Sequence, residues 1–279
     1  MGNANLQRKG ALTIVGCGLH PGQMTLETQS IIENSQKVLV VAPNALSIHH
    51  IQQLNKNVEN LGRFYEGDVT RLETYRLMTA RMVELVKQGY SICTVFYGHP
   101  GIFVLSTHQA FEILRNQGYE VKMLPGISAD ACLFSDLNID PSTTGCQSYE
   151  ATQFLLTQRS FDTSAALILW QIGLVGEHTL KVQSPGEYGL SAMTKLLTKH
   201  YPANHQVCLY EAPTLPGFAP RMDWLELTQL PQAEVKSIST LFIPACTDLI
   251  FAIERLTWLN LAEEDLSSWD EPIDKEVLN

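Results

Sequence analysis

The chain has 279 residues, is 45% hydrophobic and carries 19 basic against 29 acidic side chains, a formal net charge of −10. That length and apolar content suffice for a real core, while the acidic balance leaves no global field for DNA, RNA or anionic lipid, so neither nucleic acid nor a membrane is an expected partner. No window reaches the roughly 18 apolar residues of a membrane span and the first ten residues lack the apolar run of a signal peptide, so a cytoplasmic protein is expected.

In chain order, short apolar runs rich in β-branched residues alternate with segments of helical period, the pattern of an α/β fold with mainly parallel strands. Strands are expected at 11–15, 37–41, 91–97 and 119–124, with helices near 25–34, 71–87 and 108–116, making one αβα layer. Helix 71–87 is the clearest. Its Leu72, Tyr75, Met78, Met82 and Leu85 recur at spacings of three and four, a stripe expected to pack on the sheet, and Gly89 supplies a C-terminal stop. After a polar, turn-rich stretch at 138–148, strands at 165–171, 206–210 and 235–243 resume the pattern as a second layer. The expected division is 10–125, 126–262 and an acidic, mobile tail at 263–279. Six scattered cysteines with no CxxC pair, most inside apolar runs, read as reduced core residues, and no metal is expected.

Three strand ends carry glycine turns. The first, Gly16-Cys17-Gly18-Leu19-His20-Pro21-Gly22, lets a backbone approach a ligand closely. It departs from the dinucleotide fingerprint, because Pro21 stands where the third glycine belongs and Val41-Ala42-Pro43-Asn44 offers no acidic residue. The second is Tyr97-Gly98-His99-Pro100-Gly101, at a strand end where open α/β sheets place their ligands. The third is Leu124-Pro125-Gly126-Ile127-Ser128. The first alone is a weak signal, and the second alone reads equally well as a plain strand-to-helix turn; three together favour a cofactor crevice.

In this order and spacing the turns resemble the tetrapyrrole (corrin and porphyrin) methyltransferase fold, which implies two αβα domains with S-adenosylmethionine bound between them. Within that fold, YGHPGIFV (97–104), LPGISADACL with DLNIDP (124–141), GCQSYEATQF (145–154) and LYEAP (209–213) resemble the borosin peptide backbone α-N-methyltransferases. The likeness runs from about residue 12 to residue 261. It implies that Tyr65, Arg71, Tyr75 and Tyr97 surround the amide to be methylated. Arg71 and Tyr75, four apart on one helix, are able to face a shared site. Without the resemblance, Tyr75 reads as a core residue of the stripe and Arg71 as a solvated first-turn residue.

The residue types suit the chemistry. An amide nitrogen is a poor nucleophile, so Tyr75 or Tyr65 is expected to take its proton. Arg71 is expected to lower the phenol's pKa from about 10 and to stabilise charge on the amide oxygen, with Tyr97 holding the amide in line. For the cofactor, released as S-adenosylhomocysteine, the resemblance points to Gly16, Gly18, Tyr97, His99, Ile102, Ser128, Ala129, Gln171, Tyr210, Ala212, Ser239 and Thr240. Gln171 also reads as a plain capping amide, and the hydroxyls of Ser239 and Thr240 in so apolar a run are expected to have partners.

Fungal members carry their own substrate at the C-terminus, whereas this sequence ends in LSSWDEPIDKEVLN with no hydrophobic core-peptide run. It therefore looks more like the bacterial split enzymes, which implies a separate precursor peptide and a homodimer, with a 2:2 complex as one form. Three rivals remain. They are a same-fold methyltransferase acting on a corrin, porphyrin or other small molecule, a ribosomal RNA ribose methyltransferase disfavoured by the charge, and an inactive binding module.

Overall fold

Successive residues of a strand leave to opposite faces of its sheet, so a strand buried on both faces reads as an unbroken apolar run. The computed structural model describes residues 9–66, 69–177, 184–262 and 265–266, and its first half is built on this principle. In chain order it comprises β1 (Ala11–Gly16), α1 (Leu26–Asn34), β2 (Lys37–Val41), α2 (Ala45–Leu54), β3 (Val58–Asn60), a 3-10 turn (Leu61–Tyr65), α3 (Arg71–Lys87), β4 (Ser91–Phe96), α4 (Leu105–Asn116) and β5 (Glu120–Leu124). The strands form a five-stranded sheet of order β3-β2-β4-β1-β5, every pairing parallel. Leu12, Ile14, Leu39, Val41, Ile92 and Phe96 pack with Met78 and Met82 of α3 and Leu114 of α4. Their sequence neighbours Val15, Val38, Val40, Cys93 and Val95 pack with Ile32 of α1 and Ile51 of α2.

The second half holds α5 (Ala129–Asp136), β6 (Cys146–Glu150), α6 (Ala151–Leu156), β7 (Ala166–Trp170), α7 (Gly189–Leu197), β8 (Gln206–Glu211), β9 (Arg221–Glu226) and β10 (Thr240–Ile243). Its sheet runs β6-β7-β10-β8-β9. Here β6 and β7 are parallel and the other three pairings antiparallel, so the parallel expectation describes the first sheet and not the second. The same alternation recurs. Leu167, Leu169, Leu209 and Leu241 face α6 and α7, whereas Ile168, Trp170, Tyr210 and Phe242 face α5. Leu19, from the turn after β1, is buried in this second cluster and so packs one half onto the other.

Helix α3 has a defined start and stop. The Thr70 side chain accepts the Glu73 N–H at 3.2 Å. At the other end Gly89, with φ +93°, donates to the Val86 carbonyl at 3.0 Å while Tyr90 N–H reaches Leu85 at 3.1 Å, the two bonds of a Schellman stop. The stripe on α3 divides, however: Met78, Met82 and Leu85 are buried, while Leu72 and Tyr75 in the first turns are only half-buried.

The strand expected at 235–243 is shorter. Lys236 N–H donates to the Ser239 hydroxyl (2.8 Å) and Ser239 N–H back to the Lys236 carbonyl (2.9 Å), a turn that delays β10 until Thr240. Residues 263–279, expected as a tail, lie outside the described residues except for Asp265 and Leu266. Among the described residues no helix is long and apolar enough to cross a membrane.

Candidate active site

The three glycine turns meet. Gly98 N–H donates to the Gly18 carbonyl at 2.8 Å. A Cβ on Gly16 would lie 2.4 Å from the Gly98 oxygen and 2.7 Å from the Gly126 Cα, and one on Gly126 would lie 2.4 Å from the same oxygen and 2.7 Å from the Gly16 Cα. Backbone cannot yield as a flexible side chain can, so these glycines are explained by contact between the turns themselves, and Gly16 needs no ligand to account for it. Together the turns make a main-chain floor at the C-terminal ends of β1, β4 and β5. On it, His99 is fixed by accepting the Gly101 N–H at its Nδ1 (3.0 Å), and Ile102 is half-exposed beyond it. Ser128 precedes α5 and donates its hydroxyl to Asp130, while Ala129 opens the helix.

The tyrosines stand on the first-half side of this floor. Thr74 on α3 donates its hydroxyl to the Phe64 carbonyl at 3.0 Å, tying the 3-10 turn that ends in Tyr65 to the helix turn that carries Arg71 and Tyr75. Tyr97 follows β4, its N–H bonded to the Val41 carbonyl at 3.0 Å. Tyr65 interacts with Tyr75, Tyr97 and Arg71, and Tyr97 with Tyr75, so the four predicted residues form one electrostatic cluster. Tyr65 and Tyr97 keep 46% and 44% of their surface open, so they are not core residues although protein surrounds their phenols.

Their chemistry differs from expectation in one respect. Burial, then Tyr75 and Tyr97, push the Tyr65 phenol above its ordinary range, and the opposing pull of Arg71 is smaller. Burial and Tyr75 raise Tyr97 as well. The guanidinium acts on Tyr65 in the expected direction but does not win, because a phenolate among other phenols and packed protein loses more hydration than one cation restores. Arg71 is itself enclosed: its side chain is 12% exposed and its Nε, a buried donor, has no hydrogen-bond partner among the described residues.

The second half closes the opposite side. Gln171 directly follows β7 in the left-handed region, φ +58°, a conformation that costs a non-glycine residue energy and gathers at functional sites. Its side-chain amide finds no partner among the described residues, which removes the capping alternative. Trp170 beside it meets Phe103 in a tilted ring pair, 6.2 Å between centroids and 50° between planes, and Phe103 also has positive φ, +55°. Asn44, the N-cap of α2, donates to the Thr214 carbonyl at 2.8 Å, a further bridge between the halves.

Ser239 and Tyr210 are placed differently. The Ser239 hydroxyl donates to Glu211 at 2.6 Å as well as accepting from Lys236 N–H, so its single proton is committed within the second half. Burial pushes the Glu211 carboxyl up, yet bonds from Ser239, Lys236 and Arg221 hold it below its ordinary value. Tyr210 is 1% exposed, with its hydroxyl donated to Asp136 at 2.7 Å. Both residues shape the second sheet. Thr240 pairs with Tyr210 in the ladder, and Ala212 is half-buried against the cluster that holds Leu19. Among the described residues no group of three or more His, Cys, Asp or Glu is placed to hold a metal ion.

Sequence reasoning missed Glu177, Phe103 and Trp170. Glu177, just past β7, is buried and pairs with Arg71 across the halves at 3.8 Å. Its only sequence signal is a carboxylate set among apolar residues and glycine in Gly-Leu-Val-Gly-Glu, and its partner is far off in the chain.

Residues 11–219 match the family described as tetrapyrrole (corrin/porphyrin) methylases. The chain is 38% identical over 251 residues to the methyltransferase/ribosomally synthesized cyclic peptide gymnopeptides precursor of Gymnopus fusipes, covering 88% of this chain and 59% of that one. The corresponding omphalotin A protein of Omphalotus olearius is 38% identical, covering 85% and 58%. The dendrothelin A protein of Dendrothele bispora is 36% identical, covering 92% and 64%. The chain thus spans about three fifths of the length of these curated relatives. Among solved structures, uroporphyrin-III-C-methyltransferase from Thermus thermophilus superposes with a TM-score of 0.60 at 18% identity, covering 92% of this chain and all of that one. Cobalt precorrin-4 methyltransferase superposes at 0.61 and 13% identity, covering 87% and 98%. These two share the fold.

Proposed function

Because the chain belongs to the tetrapyrrole (corrin/porphyrin) methylase family, we propose that it is an S-adenosylmethionine-dependent methyltransferase acting on backbone amide nitrogens of a ribosomally made precursor peptide. The observation that carries this reading is the cluster of Tyr65, Arg71, Tyr75 and Tyr97 beside a main-chain floor, since a tetrapyrrole carbon needs no such apparatus to become nucleophilic. In this reading 10–125 and 126–262 are two domains with the cofactor between them.

The residues present fit S-adenosylmethionine, which when bound supplies an electrophilic methyl group on a sulfonium and leaves as S-adenosylhomocysteine. The unpartnered Gln171 amide suits an adenine edge, able to donate and to accept. The Gly16–Gly18 turn, His99, Ile102 and the Ser128–Ala129 start of α5 line the rest, and Tyr210, Ala212, Ser239 and Thr240 shape the wall behind.

The peptide amide enters over the tyrosines. Tyr65 or Tyr75 accepts its proton, and Arg71, with its buried Nε donor, stabilises charge on the amide oxygen. Tyr97 would position the amide nitrogen for transfer, and such positioning supplies much of the rate. The finer reading keeps the precursor as a separate chain and the enzyme as a homodimer, with a 2:2 complex between them. Both parts rest on the resemblance to split enzymes.

Incubation with S-adenosylmethionine and the product of a short neighbouring reading frame is expected to add multiples of one methyl mass, with fragment ions placing each on a backbone amide. Methyl groups on side chains, or transfer to a corrin or porphyrin in place of peptide, would overturn the reading. Mixing separately purified chains tests action in trans, and light scattering tests the dimer.

A further inference from the structure

We propose that Glu177 is a positioning residue that holds the Arg71 guanidinium towards the tyrosines from the opposite half of the molecule. The proposal rests on the peptide-amide reading above and adds the device that aims its cation. Arg71 Nη2 and Glu177 Oε2 lie 3.8 Å apart, with side chains only 12% and 8% exposed, so the pair meets where solvent screens little. An arginine side chain is long and rich in rotamers, and the Thr70 cap fixes only its backbone. A carboxylate on one side of the guanidinium turns a mobile cation into a directed one. The other side remains for the amide, consistent with the unpartnered Nε.

The segment carrying Glu177 is built for accuracy. Gly176 has φ +78°, and the Glu177 N–H is fixed to the Leu174 carbonyl at 3.0 Å. A Cβ on Gly173 would lie 1.7 Å from the Lys236 oxygen, one on Gly189 would lie 2.0 Å from the Val175 oxygen, and one on Gly186 would lie 2.8 Å from the Gly176 oxygen. Backbone pressed on backbone at three glycines leaves this turn little freedom, and it begins at Gln171, the strained residue assigned to the cofactor. One turn of the second half thus reaches both the cofactor side and the cation of the first half.

The test compares the full-length wild type with Glu177→Gln, Glu177→Asp, Arg71→Lys and the Arg71→Lys/Glu177→Gln double variant, following methyl transfer to precursor peptide against pH. Displacing the guanidinium by about an ångström is expected to lower kcat of Glu177→Gln roughly tenfold to a hundredfold with cofactor affinity unchanged. Glu177→Asp, which keeps the charge but withdraws it by one methylene, falls between. Because Arg71 opposes burial, Tyr75 and Tyr97 at the Tyr65 phenol, losing its aim moves the rising limb of the profile to higher pH. In the double variant, Glu177→Gln adds little to Arg71→Lys. A shift of the limb to lower pH would mean that Glu177 merely neutralises Arg71, and an unmoved limb with a lowered melting temperature would mean a structural role. Wild-type kinetics would also overturn the proposal. Absence of transfer by the wild type would instead overturn the peptide-amide reading.

Discussion

Tyr75 sits on a helix whose next turns are buried in the core, whereas Tyr65 ends a short 3-10 turn tied to that helix by the Thr74 hydroxyl and by Leu61 packed in the cluster with Met78. Replacing Tyr75 by Phe removes a hydroxyl from the cluster and leaves the stripe's packing in place. Turnover is therefore expected to fall by about 10²–10⁴, the usual contribution of a proton-transfer group, with cofactor affinity retained because the cofactor residues lie on other turns. Isothermal titration beside a rate measurement checks it; equal loss of both would make Tyr75 structural. A second outcome concerns pH. Only the phenolate accepts a proton, and burial together with the neighbouring phenols raises Tyr65, so the rate is expected to climb through the alkaline range without levelling below about 10. A plateau near neutrality would rule out a raised phenol as base. At this scale the residue types of the cluster were legible from the resemblance. The sign of the net shift at Tyr65 was not, because burial and neighbours are set by tertiary packing.

Strand β3 is three residues long and lies at the edge of its sheet, where little apolar surface holds it. Glu59 secures it, pairing with Lys37 on β2 at 2.9 Å, with Arg81 on α3 at 2.8 Å and with Arg63 at 2.6 Å. The Arg81 hydrogen bond is the main reason its carboxyl falls from 4.5 to about 2. A lowered folded-state pKa contributes stability that is complete above the ordinary value and is lost as pH falls towards the folded one. Glu59→Gln is thus expected to cost about 1–2 kcal/mol at neutral pH, less than the full shift because solvent reaches Arg63 and Arg81. In urea titrations the gap from wild type should close as pH is lowered from about 4.5 towards about 2; a constant gap would locate the effect in packing. Strands buried on both faces, such as β2 and β4, were legible as apolar runs. The Arg-Met-Asp-Trp-Leu-Glu of β9 was not, because an exposed edge strand needs no such run.

For the whole molecule, two sheets and their order along the chain followed from strand and helix periods, but the antiparallel second sheet did not, since antiparallel and parallel buried strands share one composition. Nor did the contacts between halves, each of which joins residues distant in sequence: Leu19 in the second core, Asn44 with Thr214, Phe103 with Trp170, Arg71 with Glu177. Leu19→Ala should cost about 2–5 kcal/mol in denaturant unfolding, as for a buried leucine, although it lies on a turn. A surface-like loss of under about 0.5 kcal/mol would mean that the halves do not share a core there. The meeting of Gly16, Gly98 and Gly126 has a consequence for how such a protein diversifies. A floor made of main-chain atoms has no side-chain identities to rewrite, so descent can change the acceptor by redrawing only the tyrosine-bearing wall. New substrates then arise without disturbing the surface on which the donor rests.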